Sequence, residues 1–428
     1  MKFTKMSLVA ALLIGSSAFA LDNTKVSGNA QLFYATQDNG SDSMFNKDAS
    51  AADAGLNLNV TTDLVKNDVV AISAGAGYTV LSTLGLENNL VSSVWGGAHG
   101  ATANGSSFGY KVENANWMNE AWIAATAGKT TAKIGRMELD TPMVFTEKWS
   151  IEKNTFEAAV LINQDIPDTT LVGAYVGAGN GTEVLDQDKR GIVNTAGLAA
   201  GAVVNEGGQF TTFGTNGAYA IGAINNSFKP LTVQAWYYQL TQLASAYWLQ
   251  ADLNMDGILA GAQYSSDKLL NGSTKSDDVY ALMLGYSLKD VATIKVAYSS
   301  VNKGGDLGYA GFNTATYTDP TAGKSTAQSK LYTEAWWNYG RVTKTDTDSY
   351  AISVDGKVAG VDLFAQYTNA NDKSAANNDM SEIALTVGKS FGPLDATLAY
   401  VYTDAKTPAN TTDDETTNMV QAYLTLNF

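Results

Sequence analysis

The sequence contains no cysteine, one histidine and three arginines. The lack of cysteine excludes a disulfide framework. The single histidine, His99, lies in the glycine-rich stretch GGAHG with no nucleophile motif beside it. Histidine-based hydrolysis therefore has no support, and we expect no enzyme activity.

Long apolar runs are also missing. After the N-terminus no segment offers the roughly 20 apolar residues that a membrane-spanning helix needs. At the N-terminus, Lys2 and Lys5 flank the start of a short apolar stretch that gives way to small residues ending at Ala20. This pattern predicts a secretory signal peptide over residues 1–20. Residues 21–428 then form a single domain.

Positive charge is scarce relative to negative charge. Once the two leader lysines are removed, 25 basic residues face 42 acidic ones, which leaves a net charge of about −17. Nucleic acid is excluded as a partner on this balance. Cationic solutes suit the charge better than anionic ones.

Strict alternation of apolar and polar residues is what the sequence has in abundance. In LNLNVTTDL, Leu56, Leu58 and Val60 fall on one parity, while Asn57 and Asn59 fall on the other. Such a strand has one apolar and one polar face. About 18 segments of 8 to 11 residues repeat this pattern, the length of a tilted membrane-spanning strand. A count of 16 is the alternative.

The segments predict an all-β fold, a transmembrane antiparallel β-barrel, because strands can span a membrane only when the sheet closes on itself. Short turns alternate with long polar excursions near residues 81–116, 177–216 and 302–346. Outer-membrane barrels have short periplasmic turns and long extracellular loops. One short turn is predicted at Asp355-Gly356, since Asp-Gly between alternating runs favours a hairpin. We expect the outer membrane of a Gram-negative bacterium as the location.

The loop over residues 140–154 is the candidate constriction of the lumen. It is rich in charge, and the alternation before it falters near Gly135. If Met137 and Leu139 face outward, a one-residue bulge is required there. Arg136 and Glu138 would then point inward.

Two stretches resemble a known family. The run NEAWIAA…GKTTAKIGRMELDTP…KNTFEAAVLINQDIPDTTLVGAYVGAGNG and the block SKLYTEAWWNYG, together with the terminal Phe428, look like the Campylobacter-type (epsilonproteobacterial) major outer membrane porins. These are similar in turn to the 18-stranded substrate-type porins of pseudomonads. The resemblance implies a homotrimer, a third outer loop that constricts the lumen at 140–154, and a second segment, LYTEAWWNYG, that folds toward the channel. It also identifies Phe428 as the signal for the barrel-assembly machinery.

With only three arginines, the chain departs from the pseudomonad pattern, which puts an arginine ladder for anionic solutes in doubt. Charges that face each other across a narrow pore set ion preference. Lys295 and Asp362 also lie on inward parities, although any single strand charge can be merely solvated. The predicted pore-lining and constriction residues are Glu120, Lys133, Arg136, Glu138, Asp140, Glu147, Lys148, Glu152, Lys153 and Glu157.

The predicted function is an outer-membrane porin for passive diffusion of small hydrophilic solutes and ions, with a mild preference for cations. The alternatives are a substrate-selective nutrient channel of the same fold and a surface adhesin or structural outer-membrane protein. Besides the permeating solutes and ions, the predicted partner is outer-membrane lipid. No cofactor is implied: DLNMDG at Asp252 starts like a calcium loop, but Gln263 replaces its closing acid, so a turn is expected. Calcium bound between acidic outer loops is the alternative to no cofactor, and the sequence does not localise a site for it.

Overall fold

The computed structural model describes residues 22–38, 43–82, 84–86, 90–91, 93–95, 101–103, 114–148, 151, 153–180, 210–212, 216–270, 275–313, 318–319, 324–325, 328–374, 379–407 and 410–428. The predicted signal peptide lies outside these residues. Within them, no helix is long and apolar enough to cross a membrane.

Eighteen long antiparallel strands of the described chain form one closed wall, in which each strand pairs with the next and the last pairs with the first. The predicted barrel and its strand number are confirmed. The strands are β1 Asp22–Asp38, β2 Ser50–Lys66, β3 Ala71–Ser82, β4 Asn114–Ala127, β5 Thr130–Met137, β6 Phe156–Asn163, β7 Thr169–Gly179, β8 Ala218–Asn225, β9 Leu231–Leu240, β10 Ala244–Met255, β11 Ile258–Leu269, β12 Asp277–Leu288, β13 Ala292–Val301, β14 Thr347–Val358, β15 Val361–Asp372, β16 Met380–Phe391, β17 Leu394–Thr407 and β18 Asn410–Asn427.

Shorter elements lie in the connections between wall strands. A small hairpin is joined in parallel to β2, a two-residue strand extends the sheet beside β7, and a second small hairpin stands apart. These elements are Ser93–Trp95 with Ala101–Ala103, Thr211–Thr212, and Thr318–Asp319 with Lys324–Ser325; the 3-10 turns are Lys47–Ala49 and Arg341–Thr343.

One predicted turn is misplaced. Asp355 and Gly356 lie inside β14 and pair with Phe364 and Leu363 of β15. The chain instead reverses at Ala359 and Gly360, which both have positive φ, 51° and 75°. A two-residue hairpin turn of this type needs positive φ at both positions, and the shift of the turn keeps Val358 on the outward face.

The two faces of the wall have opposite chemistry, as the alternation predicts. Outward residues are large, apolar and exposed, for example Leu284 (62%) on β12 and Leu398 (59%) on β17. Many inward residues of the same sheet are polar: Thr79 Oγ1, for example, donates to Asn57 Oδ1 across the strands. In hydrocarbon, a closed sheet satisfies its backbone groups while the outward side chains meet lipid.

The interior differs between the two ends of the barrel. Where the long connections lie, described residues of two of them lie inside the barrel. For the 138–155 loop between β5 and β6 these are residues 138–148, 151 and 153–155, and for the 302–346 segment between β13 and β14 they are residues 302–313 and 328–346. Both pack on inward side chains of many strands, including Trp236, Trp248 and Val279. At the short-turn end the barrel has a cavity of about 850 Å³. The lumen is therefore narrowed from one side.

Candidate pore constriction

The 138–155 loop reaches across the interior between opposite parts of the wall. The carbonyl oxygen of Ile151 accepts a hydrogen bond from Asn57 Nδ2 of β2 at 3.1 Å. At the other end, Met143 Sδ lies 3.7 Å from Ser265 Oγ of β11. Met143 and Ile151 are both buried. Because the loop is anchored on two distant strands, it crosses the lumen rather than projecting outside.

Four charges at the base of this loop form one connected group. The Lys153 ammonium forms ion pairs with Glu120 of β4 and with Glu138, and Glu138 also pairs with Lys148. Burial alone would raise the pKa of Glu138, but the charges and hydrogen bonds of Lys153 and Lys148 outweigh it, and the pKa falls below its usual value. Of the four charges predicted for the loop, Lys148 and Lys153 belong to this group, in which neighbouring opposite charges neutralise each other.

The pKa of Lys153 depends on the same two opposing effects, burial and ion pairing. Burial favours its neutral form, yet the charges of Glu120 and Glu138 more than offset that effect and raise its pKa. The ammonium therefore stays charged at neutral pH. Lys133 lies near this group on β5, with its ammonium 4.0 Å from the centre of the Trp122 ring.

The loop and the 302–346 segment are tied to each other. Asn313 Nδ2 donates to the carbonyl oxygen of Phe145 at 3.0 Å, and its Oδ1 accepts from the Phe145 N–H at 3.2 Å. Asp140 pairs with Lys330. The Asp140 side chain is 89% exposed, so this ion pair is open to water where the two segments meet.

Glu147 has a different position from the one expected of a pore-lining charge. Its side chain is 1% exposed, and Oε1 accepts a hydrogen bond from Asn313 Nδ2 at 2.8 Å. Its backbone N–H donates to Asn154 Oδ1 at 2.7 Å. A side chain buried between two segments cannot touch permeating ions, so the pore-lining prediction for Glu147 is corrected. The predicted Glu152 lies outside the described residues.

Arg136 and Glu157 are also placed differently. Arg136 pairs with Glu157 across β5 and β6, two positions along from the pair of Ile134 and Ala159. Residues two positions apart on a strand share a face, and Ile134 is 65% exposed. Their ion pair of 2.9 Å therefore lies on the outward face of the wall, near the long-loop end. The prediction that they line the lumen does not agree with this geometry.

For Arg136 the cause is the missing bulge at Gly135; Glu157 lies on β6, where apolar residues occupy both parities and alternation does not identify the outward side. Pairing of β5 with both neighbours runs through Gly135 without a register shift, although Gly135 itself has φ 125°. The bulges lie instead opposite Gly77–Tyr78 on β4 and opposite Glu157–Ala158 on β7. With continuous parity, Met137 faces inward and is buried, rather than meeting lipid.

The second inward segment follows the inner wall over many strands. Tyr332 Oη donates to Asp252 of β10, Ser299 of β13 contacts Thr333, and Gln366 of β15 donates to the carbonyl oxygen of Glu334. Burial raises the pKa of Glu334 to about 7. LYTEAWWNYG thus folds into the barrel, in agreement with the resemblance. Lys330 and Asn313 were missed because nothing in their local sequence marks a contact with residues 190 and 168 positions away, respectively.

The remaining predicted residues lie apart from the constriction. Asp362 pairs with Lys357 at 3.0 Å and borders the cavity at the short-turn end. Lys295 is opposite Gly285 and Ser353 in the sheet. Phe428 exchanges two backbone hydrogen bonds with Gly28, of 2.9 and 3.0 Å, so the C-terminus completes the pairing that closes the barrel.

Comparisons with known proteins agree with the architecture. No family model matches the sequence, and no curated protein matches it. The structure is similar to that of Pseudomonas aeruginosa OccK1 (OpdK), with a TM-score of 0.69 and 13% identity over 95% of this chain and 99% of that chain. Pseudomonas aeruginosa OpdQ gives a TM-score of 0.66 and 16% identity over 96% of this chain and 100% of that chain.

A third similar structure is Acinetobacter baumannii OccAB1, with a TM-score of 0.68 and 12% identity over 95% of this chain and 97% of that chain. Identities this low show a shared fold. The predicted similarity to pseudomonad barrels is confirmed at that level, and one of these similar structures is the outer membrane protein OpdK of Pseudomonas aeruginosa. The narrower resemblance to Campylobacter-type porins stays a prediction.

Proposed function

We propose that this chain is an outer-membrane porin through which small hydrophilic solutes and ions diffuse passively. The observation that carries the proposal is a closed barrel with an apolar outer face. Two anchored segments narrow its interior, and a cavity of about 850 Å³ remains at the short-turn end. Eighteen strands enclose a lumen wide enough for water. The chain is a channel and not an enzyme. Its sequence blocks favour membership among the Campylobacter-type major porins.

Cation preference is the finer part of the proposal. The cavity at the short-turn end is bordered by four acids and two lysines, and Asp140 is the most exposed charge described in the 138–155 loop. A lumen with excess negative charge raises the local concentration of cations. The acids are Asp290, Asp355, Asp362 and Asp395, and the lysines are Lys357 and Lys389.

Reversal potentials across a planar bilayer with a salt gradient test this preference. We expect the sign that corresponds to cation flow, and neutralising Asp140 and Asp362 together should weaken it. An anion-selective channel would overturn the preference while leaving the porin function intact.

A substrate-selective channel is the second candidate, favoured by the narrowed lumen. Pseudomonas aeruginosa OpdK has been solved with vanillate. In this chain, Lys148 and Lys330 are the exposed cations at the constriction that could attract such a carboxylate. Vanillate that blocks ion current at millimolar concentration, with loss of block in a Lys330→Gln variant, would favour selectivity. Equal permeation of sugars and carboxylates of one size would favour a general pore.

A homotrimer is the assembly that we propose. The outward face of β4 to β8 carries Ala125, Ala132, Ala159 and Gly173, which leave a groove of about 800 Å³. Small residues let two surfaces approach closely in lipid, where no hydrophobic force drives them together. Gly173→Trp should yield monomers in native electrophoresis, whereas Ala365→Trp on β15 should not. A trimer in both variants would count against this interface.

A further inference from the structure

Three acidic side chains of the inner wall are buried beneath the 302–346 segment. Glu382 of β16 accepts hydrogen bonds from three consecutive backbone N–H groups of that segment: Trp336 at 2.7 Å, Trp337 at 3.0 Å and Asn338 at 2.7 Å. Its side chain is 1% exposed. Asn338 Nδ2 adds a fourth donor at 2.9 Å. One carboxylate therefore fixes a whole turn of the segment.

Asp267 and Asp277 repeat this arrangement at the other end of the segment. Asp277 accepts from the N–H groups of Leu307 at 2.8 Å and Gly308 at 3.1 Å. Asp267 accepts from the Gly311 N–H at 2.7 Å and from Ser265 Oγ at 2.9 Å. Successive backbone N–H groups in such turns form a concave site for an anion. Here the anions belong to the wall of the same chain.

Glycine makes this close approach possible. The backbone N–H groups that donate to the two aspartates lie in GDLGYAG, residues 305–311, where Gly308 and Gly311 have positive φ of 85° and 73°. A Cβ on Gly305 would overlap the carboxyl group of Asp277. The three glycines at a spacing of three residues therefore let the backbone lie directly on the two carboxylates.

The two aspartates would repel each other without the segment. Asp267 and Asp277 are directly opposite on β11 and β12, and like charges in that position destabilise a sheet. Within the described residues none of the three acids takes part in an ion pair. The partial positive charges of the segment's backbone N–H groups compensate the negative charges of the two aspartates. Because the wall needs these donors, the docked position of the segment is its stable position.

We propose that Asp267, Asp277 and Glu382 are positioning residues that hold the 302–346 segment against the wall and so set the width of the channel. This inference rests on the proposed porin function. The acids touch no permeating solute, since all three are buried. They act through the segment, which carries Lys330 to the constriction and covers the inner wall from β10 to β17.

The first test compares amide variants that keep the size of each side chain. In Glu382→Gln and Asp277→Asn the new NH₂ group faces N–H donors, so the segment is released and the open channel widens. We expect a higher single-channel conductance and a larger sugar exclusion limit in liposome swelling. Asp355→Asn, an inward acid that borders the cavity without holding the segment, is the matched control and should keep the exclusion limit of the wild type.

The second test restores the docked position covalently. Ser299 Oγ of β13 and Thr333 Oγ1 lie 2.6 Å apart, and the chain has no cysteine of its own. A disulfide between Ser299→Cys and Thr333→Cys should leave the wild-type conductance unchanged. In the Glu382→Gln background it should return conductance and exclusion limit to wild-type values, and reduction should raise them again. A loss of stability without release of the segment would not be rescued in this way.

These experiments distinguish a failure of the positioning role from a failure of the proposed porin function. If wild-type protein conducts and both amide variants match it, the positioning role is overturned while the porin stands. A wider channel that the disulfide does not restore would also overturn it. If folded wild-type protein does not conduct, the proposed function fails first. Should Glu382→Gln not assemble, Asp277→Asn with the same disulfide gives the same decision.

Discussion

The two segments that fold into this barrel are held in different ways. The 138–155 loop is held by the packing of buried apolar residues, Met143 and Ile151 among them, and by side-chain ion pairs, such as Lys153 with Glu120 and Lys330 with Asp140. The 302–346 segment is held by backbone N–H groups on buried carboxylates, as at Glu382. An exposed ion pair, such as that of Asp140 with Lys330, contributes about 0–1 kcal/mol, whereas hydrogen bonds to charged groups contribute about 1.5–3 kcal/mol each.

Because of this difference, we expect the ion preference of the channel and the width of the pore to depend on different segments. Charges at the surface of the 138–155 loop can change without displacing it, because its apolar residues Met143 and Ile151 are packed on the wall. Substitutions at the anchors of the other segment move its backbone. We therefore expect charge variants of the first to alter ion preference and anchor variants of the second to alter stability and pore size.

The largest effect should come from Asn313→Ala, which unties the two segments. The variant loses two hydrogen bonds to Phe145 and one to the buried Glu147 carboxylate. We expect a loss of about 2–4 kcal/mol, since hydrogen bonds to buried charges are the costly ones to remove. The temperature at which the folded band disappears in electrophoresis measures it. Asn225→Ala, at the rim of the short-turn end, should shift that temperature much less.

A smaller loss of stability is expected for Gly305→Ala, which disturbs only the contact between the 302–346 segment and Asp277. Its methyl group would displace the segment from Asp277, and overpacking of this kind costs about 1–3 kcal/mol. Gly173→Ala on the outward face has open space around the new methyl group and is the control. Equal melting temperatures for the two variants would show that the segment does not lie on the carboxylate.

The smallest effect concerns the exposed pair of Asp140 and Lys330. A double-mutant cycle with Asp140→Asn and Lys330→Gln should give a coupling energy below about 1 kcal/mol that fades with added salt. Asp140→Asn should nevertheless lower the cation preference in reversal-potential measurements. A coupling of several kcal/mol, independent of salt, would remove the contrast between the two segments.

Strand parity could be predicted from the sequence because it is a local property. Leu56 and Asn57 reveal their faces through their immediate neighbours, and the same holds around most of the wall. Turn positions depend on more than local sequence: Asp355-Gly356 has favourable turn chemistry, but the chain continues to Ala359 because pairing with β15 extends further. The bulge expected at Gly135 is absent and bulges lie on β4 and β7, so Arg136 faces outward; the face of Glu157 was misjudged because β6 has apolar residues on both parities.

The burial of interior residues could not be derived from alternation. Ser265, Trp248 and Glu147 lie under segments that are distant in sequence, and parity says only that a side chain points inward. The signal that was available is GDLGYAG, whose glycine spacing indicates a backbone that closely approaches another group. Its partners, Asp267 and Asp277, are about 30 to 45 residues earlier in the chain.

Single-channel recording of the purified, folded barrel in a planar bilayer tests the central claim most directly. We expect discrete, ohmic current steps whose reversal potential in a salt gradient has the sign of cation flow. Folded protein that inserts into the bilayer and yet gives no current steps would contradict a water-filled lumen between the two inward segments.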